Sequence, residues 1–119
     1  MIRLSKALAF ALLFALPVGH AAAKPLGVIL AKTGLKPADI EMMTAAAVGL
    51  YETATPKVGS KAEWTNAETG ARGTVELVGK RDNCVELLHY FRPVNATRTQ
   101  QYRVGRCKTA NGTWEMTAG

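Results

Sequence analysis

From Val58 to Thr117 the chain is a succession of short alternating segments separated by turn residues, a texture that restricts it to hairpin-connected antiparallel strands. The first candidate strand is VGSKAEWT, Val58 to Thr65, followed by a turn at Asn66 to Gly70. RGTVELV, Arg72 to Val78, then places Val75 and Leu77 on one face and Thr74, Glu76 and Val78 on the other. After GKRDN, the segment CVELLHYF sets Cys84, Glu86, Leu88 and Tyr90 against Val85, Leu87, His89 and Phe91. Both of its faces are largely apolar, as expected of a central strand. RPVNATR leads into TQQYRVGRC, Thr99 to Cys107, where Gln101, Arg103, Gly105 and Cys107 oppose Tyr102, Val104 and Arg106. Asn111-Gly112, a pair suited to positive backbone angles in a tight hairpin, precedes a brief last strand containing Trp114 and Met116.

A helix precedes these strands. In PADIEMMTAAAVGLYE, Pro37 presets the first-turn geometry, and Asp39 and Glu41 favour the positive end of the helix dipole. Ile40, Met43, Ala47 and Leu50 follow a three-four spacing and define the stripe expected to be buried. Ala45, Ala46, Ala47 and Gly49 keep the helix slim enough to lie closely on a sheet. The expected fold is α+β: an N-terminal helix packed on a four- to five-stranded antiparallel meander.

Arg3 and Lys6 precede an uncharged apolar run, Ala7 to Val18, that is too short to cross a bilayer as a helix. Pro17, Gly19 and the small residues Ala21 to Ala23 complete the pattern of a secretory signal cleaved after Ala23. The expected organisation is a signal peptide at 1–23, an N-terminal segment at 24–36 and one α+β domain at 37–119, with no transmembrane helix once the signal is removed. Segment 24–36 reads either as a tether or as a stretch that lays Val28, Ile29 and Leu30 on the domain. No cysteine near the cleavage region offers an acyl anchor. Cys84 and Cys107 both fall in the exported part, where an even pair implies one disulfide. They stand at the start of one strand and the end of its expected antiparallel neighbour, so the bond and the sheet register support each other.

The 119 residues carry a formal charge of +6, of which the signal accounts for Arg3 and Lys6. The remaining excess is scattered among acidic residues rather than gathered into the stripe that nucleic-acid binding requires, so no nucleic-acid partner is expected. Once His20 leaves with the signal, His89 is the only imidazole, and it lies mid-strand, where a satisfied structural role is the simpler reading. Two distant cysteines and one histidine do not form a zinc pattern, and Met42-Met43 without supporting ligands reads as core. Glu63, Glu76, Glu86 and Glu115 alternate along short strands with basic neighbours and read as solvated sheet surface. No cofactor, metal or enzymatic activity is expected.

One combination of residues is more specific. Trp64, Asn66, Thr69-Gly70, Gly73-Thr74-Val75, Cys84, Gly105-x-Cys107, Asn111-Gly112 and Trp114 follow in order, behind a helix with Asp39 and an alanine-rich middle. This spacing resembles the C-terminal domain of the seventeen-kilodalton surface-antigen family of bacterial cell-envelope proteins, over roughly Leu35 to Met116. The chain lacks the lipid-attachment cysteine and glycine-zipper segment that the family often carries, and Val85 stands where an arginine usually follows the first cysteine. The resemblance implies a disulfide-stapled fold and an envelope location, periplasmic or at the outer-membrane surface, with no catalytic residues to transfer. The expected function is a non-enzymatic binding or structural module for an envelope protein or polymer. The alternative is a small periplasmic inhibitor of a cell-wall hydrolase such as lysozyme, with RPVNATR entering the enzyme's cleft.

Overall fold

The structure, a computed structural model, describes residues 30–117. The signal expected at 1–23, and Val28 and Ile29, lie outside the described residues. Leu30 is fully buried and is followed by a 3-10 turn at Ala31–Thr33, which ends on Gly34 at φ 93°. Leu35 is also buried, so the chain reaches the helix already attached to the core. Pro37 opens helix α1, Pro37–Tyr51, and Asp39 accepts the Lys36 amide at 2.8 Å, satisfying one of the helix's free N-terminal donors.

Five strands follow: β1 Lys61–Thr65, β2 Arg72–Arg81, β3 Cys84–Arg92, β4 Gln100–Lys108 and β5 Trp114–Thr117. They pair consecutively as an antiparallel meander in the order β1-β2-β3-β4-β5. Cys84 lies directly opposite Cys107 with 4.0 Å between Cα atoms, and the two form a disulfide. The α+β fold read from the sequence is therefore the fold adopted.

Helix α1 covers one face of the sheet. Beneath it lie Val75 and Leu77 of β2, Val85, Leu87, His89 and Phe91 of β3, and Val104 of β4, all buried. They form two apolar clusters. Leu30, Leu35, Met43, Trp64, Ala71 and Phe91 fill one end, while Ala47, Tyr51, Val75, Leu77, Val85, Leu87 and Val104 fill the other.

Three local expectations are corrected. The first strand begins at Lys61 rather than Val58, because Val58 is 59 % exposed and Ser60 hydrogen-bonds back to Lys57 in a turn. The buried line of α1 is Asp39, Met43, Ala47 and Tyr51, with Ile40 and Leu50 only half-buried beside it. The helix is rotated because Asp39 has hydrogen-bond partners inside, which apolar spacing cannot register. At the last hairpin only Gly112 adopts a positive φ, of 83°, while Asn111 does not. Gly112 donates to the Thr109 carbonyl and Thr109 to that of Thr113, making a three-residue loop rather than a two-residue turn.

Candidate binding surface

Asp39 is the buried polar centre that joins helix to sheet. Its Oδ1 accepts Asn66 Nδ2 at 2.8 Å and Thr69 Oγ1 at 2.6 Å. Asn66 Oδ1 in turn accepts the Glu68 amide, and Thr69 Oγ1 accepts the Ala71 amide. Gly70 closes the loop by donating to the Asn66 carbonyl at φ 81°, a backbone angle that suits glycine. Burial opposes ionisation of Asp39, but the hydrogen bonds from Thr69, the Lys36 amide and Asn66, with the Lys36 charge, outweigh it and hold the carboxyl below its usual range. Gly73 lies directly opposite Trp64, and a Cβ there would stand 2.6 Å from the indole Nε1 and 2.5 Å from the Tyr90 carbonyl oxygen. Trp64, Asn66, Gly70 and Gly73 thus form a clasp between α1 and the first hairpin.

The remaining motif residues lie at the other end. Gly105 is opposite both Glu86 and Thr117, where a Cβ would collide with the Thr117 hydroxyl. Trp114 meets Tyr51 edge-on, with ring centroids 4.8 Å apart. The two tryptophans occupy opposite ends of the sheet, in different apolar clusters.

His89 is 1 % exposed on the helix-facing side, and its Nδ1 has no hydrogen-bond partner. Burial, with a further contribution from the Arg106 charge, holds its pKa down to about 4, so the ring is neutral at ordinary pH. Glu63, Glu76, Glu86 and Glu115 stand on the opposite face of the sheet, opposite Thr74, Lys61, Gly105 and Cys107 respectively. Histidine and carboxylates therefore do not converge. Among the described residues no three His, Cys, Asp or Glu side chains cluster at metal-binding distance.

RPVNATR folds back on the body of the domain. Pro93 is buried, 3.5 Å from the position of a Cβ on Gly34, and Ala96 donates to the Pro93 carbonyl. Asn95 adopts φ 61°, and Val94 and Thr97 to Thr99 are exposed.

Among the described residues no helix covers the second face of the sheet. Its residues form rows across the strands. At one end Thr65, Arg72, Arg92 and Thr99 follow one another, where Thr65 pairs with Arg72 and Arg72 with Arg92, and Arg92 Nη2 donates to Thr99 Oγ1 at 3.4 Å. Next come Glu63, Thr74, Tyr90 and Gln101, and then Lys61, Glu76, Leu88 and Arg103. Val78, Leu88 and Tyr90 are half-buried there, with no other element among the described residues packed over them. A depression of about 290 Å³ lies over the Arg72–Arg92 row, and one of about 590 Å³ beside the disulfide, lined by Gly79, Glu86 and Gly105.

The Arg72–Arg92 pair escapes a reading of the sequence because of one bulge. From Arg81 opposite Cys84, uninterrupted pairing would bring Arg72 against Pro93; the register shift between Leu77 and Gly79 brings it against Arg92. The same shift keeps Val75 and Leu77 under the helix. The nearest sequence signal is Gly79 in the middle of an alternating run.

No protein-family model, curated protein or solved structure matches the chain.

Proposed function

We propose that the chain is an exported, non-enzymatic domain of the bacterial cell envelope, akin to the surface-antigen C-terminal domain, which binds an envelope component through the open face of its sheet. The observation that carries this is the pair of unlike faces among the described residues: one closed by α1 over two apolar clusters, the other presenting half-buried Val78, Leu88 and Tyr90 among charged and hydroxyl side chains. A central strand with apolar residues on both sides is suited to having a partner on each. The disulfide supports an oxidising compartment, whether periplasm or outer-membrane surface. Among the described residues no helix is long and apolar enough to cross a membrane.

The test immobilises the domain with its disulfide intact and exposes it to solubilised envelope. Leu88→Asp serves as the face variant, and its thermal unfolding is measured alongside. Retention of a discrete component by the native face and its loss in a folded Leu88→Asp variant is the expected result. Equal retention by both forms, or none by either, rejects the face as the binding surface. The hydrolase-inhibitor reading predicts inhibition of lysozyme by the same purified domain, lost in Arg98→Glu.

A further inference from the structure

Elsewhere on the open face two basic residues stand beside acids. Lys61 is opposite Glu76, and Arg103 holds Glu86 at 2.9 Å, the one ion pair among the described residues. Arg72 and Arg92 break that pattern. They are directly opposed on neighbouring strands, an arrangement in which like charges destabilise a sheet, and neither has a carboxylate within ion-pairing distance among the described residues. A threonine hydroxyl stands at each end of the row, Thr65 beside Arg72 and Thr99 beside Arg92. The row lines a concave depression of about 290 Å³, bounded on its inner side by Thr74 and Tyr90.

We propose that this row is a binding site for a phosphate group. Guanidinium forks donate paired N–H groups in a plane matched to phosphate oxygens, and two facing forks together carry enough positive charge to balance its dianion. The flanking hydroxyls donate to the remaining oxygens, and Tyr90 offers a further hydroxyl from the adjoining row. A bound phosphate removes the repulsion between the arginines, so the charge pattern that weakens the empty sheet becomes the recognition element. Glu63, opposite Thr74 and diagonal to Arg72, lines the same depression and is the one carboxylate there. It competes with the ligand and limits affinity.

The site lies at one end of the face on which the proposed function rests, yet its test needs only purified, oxidised domain and inorganic phosphate. It therefore succeeds or fails independently of envelope capture through Leu88. Inorganic phosphate is titrated at low ionic strength, where screening is weak. Backbone amide signals of Gly73, Arg92 and Thr99 are followed by NMR, with acetate as a planar control anion. The expected result is a saturable shift confined to this row and weaker for acetate. Arg72→Gln and Arg92→Gln should each weaken binding by about tenfold, the size expected for loss of one charge-assisted partner. Glu63→Gln should tighten it. Arg103→Gln, on the same face but paired with Glu86, should leave it unchanged. Thermal unfolding supplies a second readout: without phosphate, Arg92→Gln should match or exceed the native melting temperature, and added phosphate should raise only the native one. Non-saturating shifts, or equal losses in Arg72→Gln and Arg103→Gln, would show general charge attraction and overturn the site. So would a lowered melting temperature in Arg92→Gln, which would make the pair structural. Vesicles of phosphatidylcholine with and without phosphatidic acid then assign the source. Retention by phosphatidic acid that Arg72→Gln abolishes identifies a lipid head group, and saturable phosphate binding without retention identifies a soluble phosphate; both uphold the site.

Discussion

Two buried titratable side chains set the acid response of the domain. His89 is neutral in the folded state because burial, and secondarily the Arg106 charge, depress its pKa from 6.5 to about 4. Between those values the unfolded chain binds the proton and the folded chain does not, so stability falls as pH drops from about 6.5 to about 4. The full loss is on the order of 3 kcal/mol, from a depression of that size. Asp39 acts lower on the scale. Its folded carboxyl lies below the usual 3.8, so its contribution is present above that value and disappears as pH falls beneath it. Urea unfolding as a function of pH should show both phases, and His89→Leu should flatten the upper while leaving the lower. A single loss confined below pH 4 in the native protein would contradict the assignment. Removing the carboxylate is costlier than protonating it: Asp39→Ala leaves Asn66, Thr69 and the Lys36 amide without their buried acceptor and should destabilise by roughly 3 kcal/mol. Equilibrium denaturation measures this. Asp39 was legible as a helix-start residue, but its role as acceptor for the first hairpin was not, since Asn66 and Thr69 lie 27 and 30 positions away.

Between elements, the β3–β4 staple and the β1–β2 contact are the informative joints. The disulfide closes a loop with a sequence separation of 23, and removing that constraint should cost about 3 kcal/mol by loop-closure entropy. Cys84→Ser paired with Cys107→Ser should lower the denaturation midpoint accordingly. Far-ultraviolet circular dichroism should be retained, because the cysteines only reinforce a register that Leu87 opposite Val104 already holds by burial. Gly73→Ala should be damaging despite its small size. The added methyl meets the Trp64 ring and a β3 carbonyl, and forcing either aside should cost about 1–3 kcal/mol, visible as a lower melting temperature and an altered Trp64 environment in fluorescence. The pairing of the cysteines could be anticipated because they bracket two adjacent strands. The packing of Trp64 on Gly73 could not, since it depends on which β2 residue the first strand faces.

At the scale of the whole fold, the described residues form two layers, a helix and a sheet, and leave the sheet's second face uncovered. A domain this small has little stability in reserve, which gives weight to the segment ahead of the helix. Leu30 is fully buried with Trp64 and Phe91, so Leu30→Ala should cost about 3 kcal/mol, measurable by denaturant unfolding. An unchanged midpoint would mean that the segment is a tether after all. The element sequence, the antiparallel order, the disulfide and most of the core face of β2 to β4 follow from alternation and turn chemistry, which are local and survive without knowledge of neighbours. Three features follow only from tertiary packing. The rotation of α1 toward Asp39 depends on polar partners supplied by a distant hairpin. The opposition of Arg72 and Arg92 depends on a one-residue bulge, the same one that keeps Val75 and Leu77 under the helix. The openness of the second face depends on there being one α-helix among the described residues for a sheet whose central strand is apolar on both sides. Periodicity reports which residues avoid water; which residues meet, and which face stays uncovered, is decided by how the elements close on one another.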